Sequence, residues 1–168
     1  MIDDPCSTCG PSQSRRRFLE QISTAVIGAV VGTQLGAADA AALPMAFVTG
    51  TRTGADERTY PIPTADGVTI DADAEVIVVR FQQRIYAFNL ACPHQNTALK
   101  WRQNDLRFQC PKHQSKYQPD GTFISGRATR NMDRFAVRQS ADSLVVDLTR
   151  LLRSDQQQAE WSAAVIPL

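Results

Sequence analysis

The sequence predicts an all-β domain, an antiparallel sandwich or barrel of short strands with a leader before it and a short helix after it. Three observations carry that expectation. Past residue 45 the chain changes from Ala-rich to alternating apolar and polar residues. Its apolar runs are short and rich in β-branched and aromatic side chains, which suit a pleated, half-buried surface. Turn-forming clusters separate them: Asn104-Asp105, Pro119-Asp120-Gly121, Ser125-Gly126 and Ala141-Asp142.

Taken in order, residues 74–81 (AEVIVVRF) and 85–90 (IYAFNL) read as paired strands, with 82–84 (QQR) turning between them. The stretches 106–109, 116–118, 123–124, 135–139 and 144–148 follow as further short strands. The strand pattern stops at Cys92, resumes at Leu106 and stops again at Cys110, so each break opens a loop. Ser154-x-x-Gln157 has the form of a capping box and predicts a helix over 155–165. That helix would set Ala159, Trp161 and Ala164 or Val165 against the body. The expected organisation is a leader or anchor over 1–44, a body over 45–150 and a helical tail over 151–168.

Composition narrows the class. The chain has 168 residues, enough for one domain with extensions. It is 43% apolar and 21% charged, ordinary values for a globular core. The 18 basic and 17 acidic side chains leave a formal charge of +1, with no basic stripe of the kind a nucleic-acid binder carries.

The N-terminus reads as an address. Ser14-Arg15-Arg16-Arg17-Phe18-Leu19 precedes an uncharged stretch, Gln21 to Ala38, and a small-residue exit at Ala38-Asp39-Ala40. The string resembles a twin-arginine (Tat) export signal, which is read by a translocase for folded proteins. An ordinary basic, Ala-rich helix is the competing description. Residues 21–38 sit at the lower edge of a membrane span, and Gly28, Gly32 and Gly36 have small-xxx-small spacing. A retained membrane anchor and a cleaved leader both fit. Either puts the body in the periplasm or on the periplasmic face of the inner membrane. Cys6 and Cys9 form a C-x-x-C ahead of this leader, but one pair supplies only two ligands and no role follows from it.

The chemistry concentrates in the two loops. The chain has two histidines and four cysteines. Both histidines and two of the cysteines fall in Cys92-Pro93-His94 and Cys110-Pro111-Lys112-His113. Thiolate and imidazole suit zinc or an iron–sulfur cluster. The prolines fix φ and leave neighbouring N–H groups free to face sulfur. Zinc sites usually pair like with like, Cys-x(2–4)-Cys and His-x(3–5)-His, whereas each loop here mixes the two. Cys92 and His94 are also tightly spaced for one metal. A two-iron centre removes that difficulty, with the cysteines on one iron and the histidines on the other. A Cys92–Cys110 disulfide would leave both histidines unexplained.

These loops resemble the Rieske pair C-x-H…C-x-x-H, and the likeness extends over about residues 60–148. The resemblance implies a Rieske-type sandwich with a small cluster-binding subdomain and one [2Fe–2S] cluster per chain, bound by Cys92, His94, Cys110 and His113. It further implies that Ser115 and Tyr117 donate hydrogen bonds to a bridging sulfide and a cysteine sulfur, raising the potential. Turn and core roles are the plain alternative for those two. Quinol-oxidising relatives usually carry a bracing disulfide; here Thr97 or its neighbour and Lys112 stand in those places. The glycine usual after each histidine is replaced by Gln95 and Gln114. Residues 127–134 (RATRNMDR) stand where a Gly-Pro-rich covering loop is usual, so that loop is expected to be missing. A hydroxylating oxygenase would need two more histidines for a mononuclear iron, which the chain lacks.

Function is therefore expected to be one-electron transfer, as an exported carrier or as the iron–sulfur subunit of a quinol or substrate oxidoreductase. The expected partner is a cytochrome or oxidoreductase subunit, with quinol as a further candidate and no nucleic acid. A non-redox zinc-binding module and a periplasmic redox sensor are the alternatives.

Overall fold

The computed structural model describes residues 43–168. The export signal, Cys6, Cys9 and the 21–38 segment lie outside the described residues. Thirteen strands and one short α-helix follow in order: β1 Met45–Phe47, β2 Thr51–Arg52, β3 Glu57–Pro61, β4 Gly67–Asp71, β5 Val76–Phe81, β6 Arg84–Asn89, β7 Lys100–Arg102, β8 Arg107–Gln109, β9 Lys116–Tyr117, β10 Phe123–Ser125, β11 Arg134–Ser140, β12 Ser143–Leu152, α1 Gln158–Ala163 and β13 Ile166–Pro167. They build a nine-stranded sheet, β1-β4-β5-β6-β11-β12-β3-β2 with β13 on β6, and a four-stranded sheet, β10-β9-β8-β7. All pairings are antiparallel except β1 with β4.

The β5–β6 hairpin is the wall between two cores. One face carries Ile77, Val79, Tyr86 and Phe88 against Leu99, Trp101, Phe108 and Tyr117. The other carries Val76, Val78, Ile85 and Ala87 against Tyr60, Phe135, Leu144 and Val146 from β3, β11 and β12. Burial on both faces explains why Val76–Val79 is a continuous apolar run rather than an alternation. The small sheet thus packs on one side of the hairpin, and the curled remainder of the large sheet packs on the other. The all-β sandwich expectation holds.

Several local expectations are corrected. The hairpin turn is Gln82-Gln83, both left-handed at φ 50° and 58°, and Arg84 already belongs to β6. Two consecutive positive-φ residues are what a tight hairpin turn needs. Strands β1 to β4 and β7 were not anticipated. In β7 only Trp101 is buried, and a single apolar residue gives no period to read. The helix is shorter than 155–165, because the Ser154 hydroxyl accepts from the Asn131 N–H at 3.2 Å instead of capping it. Trp161 and Ala164 pack inward as expected, whereas Ala159 is exposed.

Arg134 ties this tail to the body. It is 4% exposed, with its guanidinium 3.6 Å from the Trp161 ring centre and 4.8 Å from that of Tyr86. Its terminal nitrogens donate to the carbonyls of Trp161 and Asp120, both at 2.8 Å. Burial pushes its pKa down to about 10, so the cation persists at neutral pH, held by carbonyls and ring faces rather than a carboxylate. Asp120 belongs to the Pro-Asp-Gly turn just beyond the second Cys-His loop, so the clasp anchors that region. No helix among the described residues is long and apolar enough to cross a membrane.

Candidate metal centre

Each Cys-His loop leaves a strand and is closed by the same two backbone bonds. Cys92 N–H donates to Thr97 O at 2.9 Å and Asn96 N–H to Cys92 O at 2.9 Å. Cys110 N–H donates to Ser115 O at 2.8 Å and Gln114 N–H to Cys110 O at 3.0 Å. Counting from the cysteine, the two loops close with the same backbone bonds, while the histidine sits second in one and third in the other. The left-handed residue of each is the fourth after the cysteine, Asn96 at φ 50° and Gln114 at φ 59°. The left-handed position thus falls two residues beyond His94 in the first loop and directly after His113 in the second. Asparagine tolerates left-handed backbone well. Gln114 also uses its side chain, which hydrogen-bonds the Gln109 amide and the Pro111 carbonyl and braces the second loop.

The small sheet brings the loops together. Leading out of the second loop, β9 carries Tyr117 beneath the first, where its hydroxyl lies 3.4 Å from Cys92 Sγ. At the tips, His94 Nδ1 and His113 Nδ1 approach to 3.1 Å, with the rings nearly perpendicular. Both histidines are partly exposed, whereas both cysteines are 1% exposed and unpaired. Sulfur therefore lies inside and imidazole at the surface. Burial raises the Tyr117 phenol well above its usual pKa, and the bond to Cys92 adds to this, so the hydroxyl keeps its proton. His113 is shifted down by desolvation first, and then by His94, Lys112 and Arg127.

A third segment completes the site. Ser115 is fully buried, and its Oγ accepts the Ala128 N–H at 3.1 Å, which leaves its own hydrogen free to donate. Gly126, at φ 116°, lies so close that a Cβ there would overlap the Ser115 backbone. The stretch 126–133 is pinned further along by Met132 N–H to Gly121 O at 2.9 Å and by the Arg130–Asp133 ion pair. This segment thus packs on the second loop at Ser115, and it is not Gly-Pro-rich. Sequence reasoning missed Gly126 and Ala128 as site residues; the Ser125-Gly126 turn was the only signal.

The donor set fits a two-iron cluster. Two nitrogens bound to one metal at about 2.0–2.1 Å, roughly at right angles, would lie about 3 Å apart, close to the histidine spacing seen here. Among the described residues no group of three or more His, Cys, Asp or Glu side chains converges on one point. Pairs of ligands on two irons match that arrangement.

Comparison with known proteins agrees. Residues 57–139 match the family model for the Rieske [2Fe-2S] domain, a span that contains both loops, Ser115 and Tyr117. The chain carries a Rieske domain. It transfers single electrons through one [2Fe–2S] cluster, and the zinc-module reading falls. Among curated relatives, the cytochrome b6-f complex iron-sulfur subunit 2 of Trichormus variabilis is 25% identical over 158 residues, covering 84% of this chain and 88% of the relative. The corresponding subunit of Synechococcus is 26% identical over 155 residues, covering 81% and 85%. Among solved structures, the cyanobacterial plasma membrane Rieske protein PetC3 from Synechocystis matches with a TM-score of 0.41 and 24% identity, over 49% of this chain and 85% of that one.

Proposed function

We propose that Cys92 and Cys110 hold one iron of the cluster, and that His94 and His113 hold the other through Nδ1. The chain then acts as the iron–sulfur subunit of an oxidoreductase complex that includes a cytochrome, taking electrons from a quinol or a dehydrogenase. The observation that carries this reading is the pairing itself, with buried sulfurs beneath two half-exposed imidazoles whose Nδ1 atoms meet. The bound cluster supplies a one-electron couple. The residues do the rest: Tyr117 and Ser115 direct hydrogens at the sulfur side, and the histidine edges face the partner. That the curated relatives belong to cytochrome b6-f complexes supports a cytochrome partner.

The purified chain is expected to be brown, with about two irons and two acid-labile sulfides per molecule. One tightly held zinc and no iron in properly matured protein would contradict the assignment.

The leader completes the proposal. Export by the Tat route delivers the folded, cluster-loaded chain to the periplasm or the periplasmic face of the membrane. Exchanging Arg15 and Arg16 for lysine is expected to trap it in the cytoplasm, because the guanidinium pair is read rather than charge alone. Normal export of that variant in a cell-fractionation assay would refute this route.

A further inference from the structure

Over much of the body, arginines meet carboxylates: Arg80 with Asp66, Arg107 with Asp105, Arg138 with Glu57 and Arg150 with Glu160. The surface around His94 and His113 differs. The two loops and the segment packed on Ser115, residues 92–99, 110–116 and 125–130, contain no Asp or Glu but hold Lys112, Lys116, Arg127 and Arg130. Arg130 is engaged by Asp133. Among the described residues no ion pair reaches the other three.

Their positions are fixed by the loop structure. Lys112 is exposed and immediately precedes His113. Arg127 is exposed and sits between Gly126, packed on the Ser115 backbone, and Ala128, whose N–H meets Ser115 Oγ. It is thus held against the second loop beside the histidine. The whole chain is nearly neutral at +1, so net charge alone supplies no positive field there.

We propose that the rim of Lys112 and Arg127 is the docking surface for the electron partner, and that the partner is a redox protein with a carboxylate-rich face around its own centre. This rests on the reading that electrons cross at His94 and His113, so whatever exchanges them must approach there. Exposed charges of this kind add little to affinity but steer encounter, so their signature is in association rate and its salt dependence.

Stopped-flow oxidation of the reduced full-length holoprotein, by the trianion hexacyanoferrate(III) and by the trication tris(phenanthroline)cobalt(III), reads this field directly. With the anion the rate is expected to fall as ionic strength rises, and with the cation to climb. The Lys112→Glu/Arg127→Glu double variant should slow the anion roughly tenfold at low salt and reverse its salt trend. An Arg52→Glu/Arg84→Glu control makes the same change of net charge on β2 and at the start of β6, remote from the loops, and should leave both trends as in the wild type. Retention on immobilised hexaglutamate gives a second readout that needs no electron transfer. The wild type and control should outlast the loop variant in a salt gradient. Identical behaviour of the two double variants in both assays would overturn the proposal. So would co-sedimentation with phosphatidylglycerol vesicles that depends on Lys112 and Arg127 without any effect on hexaglutamate, since the rim would then read lipid headgroups. A chain without a cluster would show no bleaching with either oxidant while the retention arm still reported the charge, which separates failure of the cluster reading from failure of this one.

Discussion

Cys92→Ser, Cys110→Ser, His94→Ala and His113→Ala chains are each expected to lose the Rieske-type EPR signal of the reduced wild type. The effect is nearly all-or-none because nothing can replace a missing ligand. The chain has no third histidine. Cys92 and Cys110 are the cysteines among the described residues, and each is fixed inside a loop closed by its own backbone bonds. Serine offers a harder, less polarisable donor, and alanine offers none. The fold should survive in part, since the core formed by Tyr60, Val76, Val78, Phe135, Leu144 and Val146 does not include the loops. Far-UV circular dichroism should therefore retain its β signature while iron analysis falls toward zero. A wild-type EPR signal from any of the four variants would remove that residue from the ligand set. Some loss of stability should accompany cluster loss, because the free energy of holding a metal is also folding free energy.

Tyr117→Phe and Ser115→Ala should keep the cluster and lower its potential. Reduction adds negative charge to the sulfur side, so a hydrogen-bond donor there stabilises the reduced form more than the oxidised one. Tyr117 is placed to donate, with a fully buried ring, a hydroxyl 3.4 Å from Cys92 Sγ and a proton affinity raised by burial. Ser115 has its oxygen occupied by the Ala128 N–H, which orients its own hydrogen elsewhere. A hydrogen bond to a charged group contributes about 1.5–3 kcal/mol. With about 59 mV per tenfold for a one-electron couple, each substitution should lower the potential by tens of millivolts, up to about 130 mV. The two effects should at least partly add if, as proposed, the two hydroxyls address different sulfurs. Phenylalanine keeps the ring packed on Phe123, so Tyr117→Phe isolates the hydroxyl. Thiol reductants should leave the wild-type potential unchanged, since both described cysteines are unpaired and no brace exists to be cut. Protein-film voltammetry makes all three comparisons. Potentials equal to wild type in both single variants would mean that neither hydroxyl addresses the cluster.

The proposed ligands stand out in the sequence because their chemistry is rare and local. Two histidines, each beside a Cys-Pro pair, cannot be mistaken for background. The β5–β6 hairpin was legible because its residues are buried on both faces and leave an unbroken apolar run. Strands β3 and β7 were not: in β3 only Tyr60 is buried and its pairing with β12 is distant in sequence, and in β7 only Trp101 is buried, so neither shows a period. The capping box failed for a similar reason, since the Ser154 hydroxyl is taken by Asn131, a neighbour only in the fold. Which residue of the first loop turns left-handed was not legible either. The backbone bonds show that the loop geometry is counted from the cysteine, which places that residue at Asn96. Gly126, Ala128 and the Arg134 clasp act through tertiary approach alone, and no local pattern announces them.

The central claim is that two histidine nitrogens share one iron while two cysteine sulfurs hold the other. It is tested most directly by electron–nuclear double resonance on the reduced, 15N-histidine-labelled chain. Two strongly coupled histidine nitrogens are expected, with neither His94→Ala nor His113→Ala retaining the pair. One coupling or none in the wild-type chain would contradict the assignment.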